Sequence, residues 1–544
     1  MTQTPGAAST LTAWLASHAV SDAICIDDAG VAVGWSQLVR RSRGMAAGLA
    51  SMGVRRGDRV GLWLPNRTAW LVSFFACAQL GAIAVSINTR FRSAEVGDLL
   101  QRSGVSVLVF WPGFKAIDFA GILAQCGEHA LGQLRAIVAY SEDAGEGGPA
   151  GDGGTPSGTI AGKPAVSYAS LIGHEPHAAD DATADSPCII FTTSGTTKAP
   201  KMVLHKHANV LGHARNAARQ YGLGAGKRFL LLPPFCGVFG MCGAMAALVS
   251  DSLLVLEPGW EPARFADLID QHKITHLVAS NEALGQLLDA RSAQRAFPSL
   301  ELVGQANLNP AHADIMQRAD ARGILAAGVY GSSEVQAIFS LCDPKQPALI
   351  RGRAGGVPAS AVAKVRARDT ETQKLCVHGE PGELEFLAPE SRFTEYFQNP
   401  HATAEAFTSD GWFKSGDLGH TEPDGGFTYL ARMGDTLRLG GFLVSPAEIE
   451  VVVQEHPQVE SCQVVGARTA DSVQPFAFVL RRDSTPFDEA AVIAYVGSRL
   501  ARYKVPVRVV AVDEFPTTPS ANGSKVQKTK LRDMADALLA GGTS

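Results

Sequence analysis

Thr193-Ser194-Gly195-Thr196-Thr197-Lys198-Ala199-Pro200-Lys201 follows directly on a short apolar, β-rich run, Cys188-Ile189-Ile190-Phe191. Small hydroxylated residues and a glycine let backbone N–H groups approach an anion, the hydroxyls add donors, and lysine supplies positive charge. A strand that ends in such a turn reads as a seat for phosphate oxygens at the edge of an α/β sheet. It is not a Walker A loop, because no G-x-x-x-x-G-K-S/T occurs and the order of glycine and lysine differs.

The surroundings of this turn repeat the same texture. From about residue 55 to 330, β-rich runs (Arg59 to Leu64, Val105 to Phe110, Ala136 to Tyr140, Leu253 to Leu256, Ile274 to Val278) alternate with amphipathic segments such as Pro262 to His272 and Pro310 to Ala321. That alternation predicts βαβ units and mostly parallel, buried sheets. Beyond residue 350 the pattern becomes more β, and the stretch after Arg432 carries its own helix–strand sequence. The expected fold is therefore α/β. A large N-terminal domain (1–432) of βαβ-type sheets includes a β-rich subdomain, and a small, mobile α+β C-terminal domain (433–544) follows. Ser445-Pro446-Ala447-Glu448 predicts a helix running to Gln454, with serine as N-cap, proline at N1 and glutamate at N3. Arg438 to Phe442 then becomes an exposed, glycine-containing loop. Residues 143 to 164 are rich in Gly, Pro and Ala and read as a flexible surface excursion.

Composition narrows the partners. The chain has 544 residues, of which 46% are hydrophobic and 19% charged, and a net charge of −5; this describes an ordinary globule without the basic surface that nucleic acid or anionic lipid requires. Nine cysteines are scattered without C-x-x-C spacing, so neither a disulfide framework nor a zinc site is indicated. No basic residue precedes Arg40, which argues against a secretory or mitochondrial leader and for a cytoplasmic protein. Thr68 to Thr89 and Phe229 to Ser250 are uncharged, yet both are interrupted by polar or proline residues and read as buried elements rather than membrane spans.

Further segments complete the pattern: Val329-Tyr330-Gly331-Ser332-Ser333-Glu334, Gly411-Trp412-Phe413-Lys414-Ser415-Gly416-Asp417-Leu418, Arg432 through Glu450, and Gly523-Ser524-Lys525-Val526-Gln527-Lys528. In order and spacing these resemble the adenylate-forming superfamily, in particular its acyl-CoA synthetase branch, and the resemblance covers nearly the whole chain. Activating a carboxylate with ATP brings two anions together, so the protein must supply position and positive charge. Thr193, Ser194, Thr196, Thr197 and Lys201, with Gly195, suit the β- and γ-phosphates. Glu334 suits Mg²⁺ shared with phosphate. Tyr330 offers an aromatic face to adenine, Asp417 accepts from ribose hydroxyls, and Arg432 meets ribose and phosphate oxygens; Gly331 and Ser333 complete the nucleotide side. The resemblance further implies that Lys525 bridges the substrate carboxylate and the α-phosphate, with Lys528 and Lys530 as competitors for that role. It also implies that the C-terminal domain rotates about a hinge just after Arg432, here Gly434 where relatives carry Asp or Lys. Rotation would bring Arg438, Gly440 and Gly441 to a pantetheine tunnel.

Departures from the family pattern speak to the acid. Leu232 through Gly240 resembles L-P-x-x-H-x-x-G with Cys236 near the usual histidine; Phe235, Cys236, Val238, Phe239, Gly240, Ala306 and Gly328 are the expected pocket, with Cys236 as a buried wall rather than a nucleophile. No acidic residue occurs between 235 and 250, which argues against an α-amino acid and for a fatty, branched or aromatic acid. Gln305 and Asn307 replace small residues and suit adenine or a polar substituent, while Lys198 and Met202 stand where relatives carry glycine. The expected activity is an ATP- and Mg²⁺-dependent acid:CoA ligase, with coenzyme A as cosubstrate. A carrier-protein phosphopantetheine is the alternative acceptor, and a luciferase-like or non-catalytic nucleotide-binding protein a remote one; a homodimer is left open.

Overall fold

The computed structural model describes residues 8–142, 158–193, 200–292, 296–308, 312, 314–435, 437–439, 442–468, 473–482, 486–500, 502–520 and 523–541. Two large sheets form the N-terminal part. In the first, Ile24–Asp28, Leu253–Leu256, Arg228–Leu231, His276–Ser280, Leu302–Ala306 and Ala326–Ser332 run parallel. Antiparallel strands then extend it through Gln336–Leu341, Gly355–Pro358, Phe427–Arg432, Phe413–Thr421 and Gly382–Leu387 to Lys364–Arg368. The second sheet is parallel across Arg59–Trp63, Ile83–Ser86, Val105–Phe110, Ala136–Ala139 and Pro187–Thr192. It ends in the antiparallel strands Met202–Lys206 and Glu395–Tyr396. The expected α/β class, with its β-rich extension, is what is observed.

The two uncharged stretches resolve as core. Helices Thr68–Gln79 and Val238–Val249 have twelve residues each and are buried almost throughout. At 1.5 Å per residue each spans about 18 Å, well short of a bilayer. No helix among the described residues is long and apolar enough to cross a membrane.

The C-terminal part packs helices Pro446–Gln454 and Lys528–Gly541 against a three-stranded sheet of Val459–Arg468, Val473–Arg481 and Arg508–Ala511. Three expectations need correction. The segment containing Arg438 is not a loop but an antiparallel hairpin, Leu437–Leu439 with Phe442–Val444, because Leu437, Leu439 and Val444 enter the C-terminal core. Helix Pro446–Gln454 starts where expected, but Ser445 makes no side-chain cap; its hydroxyl donates to the Leu430 carbonyl at 3.2 Å, and Glu448 pairs with Lys504. Part of the excursion at 143 to 164 is ordered as a hairpin, Gly158–Ile160 with Lys163–Ser167. Ala161 and Gly162 both take positive φ there, the geometry of a tight hairpin turn; residues 143–157 lie outside the described residues.

Candidate active site

The described residues on either side of 194–199 are joined to each other. Thr192 and Met202 are register partners. Beyond them the Thr193 amide donates to the Lys201 carbonyl at 2.9 Å, and the Lys201 amide donates to Thr193 Oγ1 at 3.0 Å. Thr193 thus clasps Lys201 through both its backbone and its side chain. Ser194, Gly195, Thr196, Thr197 and Lys198 lie outside the described residues.

Glu334 sits on the turn between strands Ala326–Ser332 and Gln336–Leu341, and its surroundings hold it on every side. Ser332 Oγ accepts from the Glu334 and Val335 amides. The Phe393 amide donates to the Glu334 carbonyl at 2.6 Å. From behind, His205 Nε2 donates to the Ser333 carbonyl and His213 Nε2 to the Ala337 carbonyl, both at 2.7 Å. A carbonyl only accepts, so each ring carries its proton on Nε2, and burial lowers both pKa values to about 4. Gly331 is needed for packing: a Cβ there would meet Ala337 Cα at 2.5 Å. The Glu334 carboxylate accepts from the Tyr396 hydroxyl at 2.9 Å through Oε1, and the Lys201 ammonium lies 4.2 Å from the centroid of the same tyrosine ring.

Asp417 and Arg432 face each other as register partners and form an ion pair of 2.7 Å. The Tyr330 hydroxyl donates to the other Asp417 oxygen at 2.5 Å. Burial pushes the Asp417 carboxyl up, while Arg432 and the Tyr330 hydroxyl pull it down. The Tyr330 ring packs edge-on against Phe427 at 5.1 Å, so this side chain joins the aromatic core of the β-rich part to the carboxylate. Gln305 Nε2 donates to Asn307 Oδ1, and its buried Oε1 has no hydrogen-bond partner among the described residues.

The expected acid pocket is redistributed. Phe235 is fully buried and stacks on Trp70 at 4.9 Å; it is core. Gly240 makes room for the Pro234 carbonyl, 2.3 Å from where a Cβ would stand, and Gly328 for the Arg353 carbonyl at a similarly forbidden approach. Cys236 is buried and its thiol is pushed up to about 12, in keeping with an unreactive wall beside the half-buried Val238 and buried Phe239. One turn further along the same helix, Met241, Cys242 and Met245 line a small void together with Phe191, Val210 and Gln336. Ala306 closes strand Leu302–Ala306.

In the C-terminal part, Lys525 lies on strand Gly523–Val526 opposite Thr518. Lys528 is bound to Glu450 at 2.8 Å, and Lys530 is exposed. Gly434 occupies a 3₁₀ turn, Met433–Asp435, and its carbonyl accepts from Arg532 at 3.0 Å. The backbone of Arg438 is in the hairpin, while Gly440 and Gly441 lie outside the described residues.

The Thr193–Lys201 clasp, the held Glu334 carboxylate and the Asp417–Arg432 pair make up the candidate site. Comparison with protein-family models matches residues 12–396 to the AMP-binding enzyme model and 448–522 to the AMP-binding enzyme C-terminal domain. The chain belongs to the AMP-binding enzyme family. This AMP-binding enzyme is 31% identical over 500 residues to a methyl-dioxo-octahydro-indenyl-propanoyl:CoA ligase of Mycobacterium tuberculosis, covering 90% of this chain and 92% of that one. It is 30% identical to a feruloyl-CoA synthase of an Amycolatopsis species, over 94% and 95% of the two chains. Its fold matches ATP-bound MatB from Rhodopseudomonas palustris with a TM-score of 0.81 at 22% identity, covering 97% and 99%.

The residues present in this AMP-binding enzyme fit the nucleotide and its metal. The half-buried Glu334 has one oxygen anchored by Tyr396 and the other directed to no donor among the described residues, the condition of a carboxylate that shares Mg²⁺ with phosphates. The orphaned Gln305 Oε1 is an acceptor in wait of a donor such as an amino group. Sequence reasoning missed Tyr396, His205 and His213, which brace the Glu334 turn. The one local signal was Tyr396 just ahead of Asn399-Pro400, which caps helix Pro400–Glu405.

Proposed function

We propose that the acid activated by this enzyme is bulky and uncharged: aromatic, branched or fatty. The activity is ATP-dependent, AMP-forming ligation of a carboxylic acid to coenzyme A through an acyl-adenylate. The observation that carries the acid class is the stretch 235–250, the turn at Cys236 and helix Val238–Val249, which holds no acidic side chain to pair with an ammonium. Bulky cyclic acids in the names of two relatives point the same way.

In the first half-reaction a carboxylate oxygen attacks the α-phosphorus and the bond to the leaving pyrophosphate breaks. We assign Lys201 and residues 193–197 to the β- and γ-phosphates, Asp417 and Arg432 to the ribose, and Tyr330 and Gln305 to the adenine end. Mg²⁺, when bound beside Glu334, neutralises phosphate charge. Lys525 screens the two reacting anions and stabilises the charge that builds on the α-phosphate; the capture of Lys528 by Glu450 supports this choice of lysine. In the second half-reaction the thiol sulfur of coenzyme A attacks the acyl carbon and AMP departs. That step requires Lys525 to leave, so we place the domain boundary after Arg432 and the pivot at Gly434, where no atom of the described residues lies within 4 Å of a would-be Cβ. Turning there moves the hairpin bearing Arg438 toward the thiol path, the role also assigned to Gly440 and Gly441. Nine free cysteines, most of them buried, support a reducing, cytoplasmic setting.

A pyrophosphate-release screen over aromatic, branched, fatty and α-amino acids, with coenzyme A added or withheld, tests this reading. Release with bulky uncharged acids and thioester formation with coenzyme A are expected. Activity confined to α-amino acids overturns the acid class; an adenylate captured only by a phosphopantetheinyl carrier protein overturns the acceptor.

A further inference from the structure

Lys201 and Glu334 carry opposite charges and both address one side chain. Tyr396 donates its hydroxyl to Glu334 Oε1 at 2.9 Å and offers its ring face to the Lys201 ammonium at 4.2 Å. The ring is 4% exposed, so both contacts are made by a side chain with little freedom to turn. Its backbone is fixed as firmly. Tyr396 is the register partner of Val203, two residues beyond Lys201, and the Phe397 amide donates to the Met202 carbonyl at 2.7 Å. The Tyr396 amide donates to Thr403 Oγ1, while Phe393, three residues earlier, grips the Glu334 carbonyl through its amide. One short strand therefore holds the main chain beside both charged residues and inserts an aromatic ring between their roles.

Left to themselves, a lysine and a glutamate at this proximity would satisfy each other, and each would lose its use: the ammonium for phosphate oxygens, the carboxylate for a metal. A phenol gives each an interaction that does not neutralise it. The ring face attracts the cation without removing its N–H donors, and the hydroxyl occupies one carboxylate oxygen while leaving the other. We propose that Tyr396 is a positioning residue of the adenylation half-reaction, a spacer that keeps Lys201 and Glu334 from pairing so that one stays available to ATP phosphates and the other to Mg²⁺. The inference rests on the roles assigned above to Lys201 and Glu334.

Calorimetric binding of ATP to the full-length protein, with Mg²⁺ and with chelator, tests it without turnover, and thermal melting reports the fold of each variant. Tyr396→Phe removes only the hydroxyl and is expected to weaken binding of ATP with Mg²⁺ by about tenfold, leaving metal-free ATP binding unchanged. Tyr396→Ala removes the ring, lets Lys201 fall onto Glu334, and weakens metal-free ATP binding by about tenfold as well. The decisive variant is Tyr396→Ala combined with Glu334→Gln: with no carboxylate to capture it, Lys201 returns to the phosphates and metal-free binding recovers. Absence of that recovery, or equal loss in Tyr396→Phe with and without metal, overturns the spacer role. If Glu334→Gln alone leaves the Mg²⁺ dependence of ATP binding unchanged, the metal role of Glu334 is wrong, a separate failure from that of Tyr396.

Discussion

Lys528 and Glu450, 78 residues apart, are joined by an ion pair of 2.8 Å inside the C-terminal part, where the Val464 amide also donates to the same carboxylate oxygen. Glu450 is buried. Of the lysines clustered near the C-terminus, this one is thus a structural counter-ion, and its neighbour three residues earlier stands on a separate hairpin.

Two substitutions should therefore separate cleanly. Lys525→Ala is expected to lower adenylation by about three orders of magnitude while sparing capture of a supplied acyl-adenylate by coenzyme A. Lys528→Ala strands Glu450 and is expected to cost about 3 kcal/mol of stability. Separate assays of the two half-reactions, together with denaturant melts, check both; a half-reaction split produced by Lys528→Ala instead would reverse the assignment.

The Asp417–Arg432 pair supports a prediction on the nucleotide side. Asp417→Asn retains the shape but removes the charge that orients the guanidinium, and is expected to lower kcat/KM for ATP by about a hundredfold, with a smaller change in KM for the acid. Steady-state kinetics with each substrate varied in turn measures the difference.

Cys236 is a test of inertness. Its thiol is pushed up to about 12 by burial, so the reactive thiolate is scarce at neutral pH. Alkylation of the native enzyme with iodoacetamide at pH 7.5 should leave Cys236 unmodified by mass spectrometry, and denaturant should expose it. Cys236→Ser should keep adenylation within about threefold of the parent, since no covalent step passes through the thiol.

Stability should fall on mild acidification for an identifiable reason. Burial lowers the His213 pKa from 6.5 to about 4, so between those values the unfolded chain binds the proton and the folded one does not. The contribution of His213 is fully present above pH 6.5 and is lost as pH falls toward 4, on the order of 3 kcal/mol in all. His213→Gln is expected to remove its share of that loss, while His205, lowered equally to about 4, keeps its own. Equal acid sensitivity in parent and variant would count against the assignment.

Short strings of sequence determined a good deal of this protein. Alternating β runs and amphipathic segments set the α/β class, because a strand or helix answers mainly to local periodicity and burial. Glu334 of Tyr330-Gly331-Ser332-Ser333-Glu334 and Asp417 of Ser415-Gly416-Asp417 could be named as candidates from local strings because each candidate chemistry sits within a few residues. The tertiary structure decided which distant groups meet. Tyr396 reaches Glu334 across 62 residues and His205 reaches Ser333 across 128, and neither pairing follows from any local pattern, since sheet order and strand register bring them together. The same physics moved Phe235 from the expected pocket to a stack on Trp70 and turned Ser445 from its own helix toward the Leu430 carbonyl. A side chain takes the partner that burial leaves within reach, and for these residues the partner lies on an element far away in sequence.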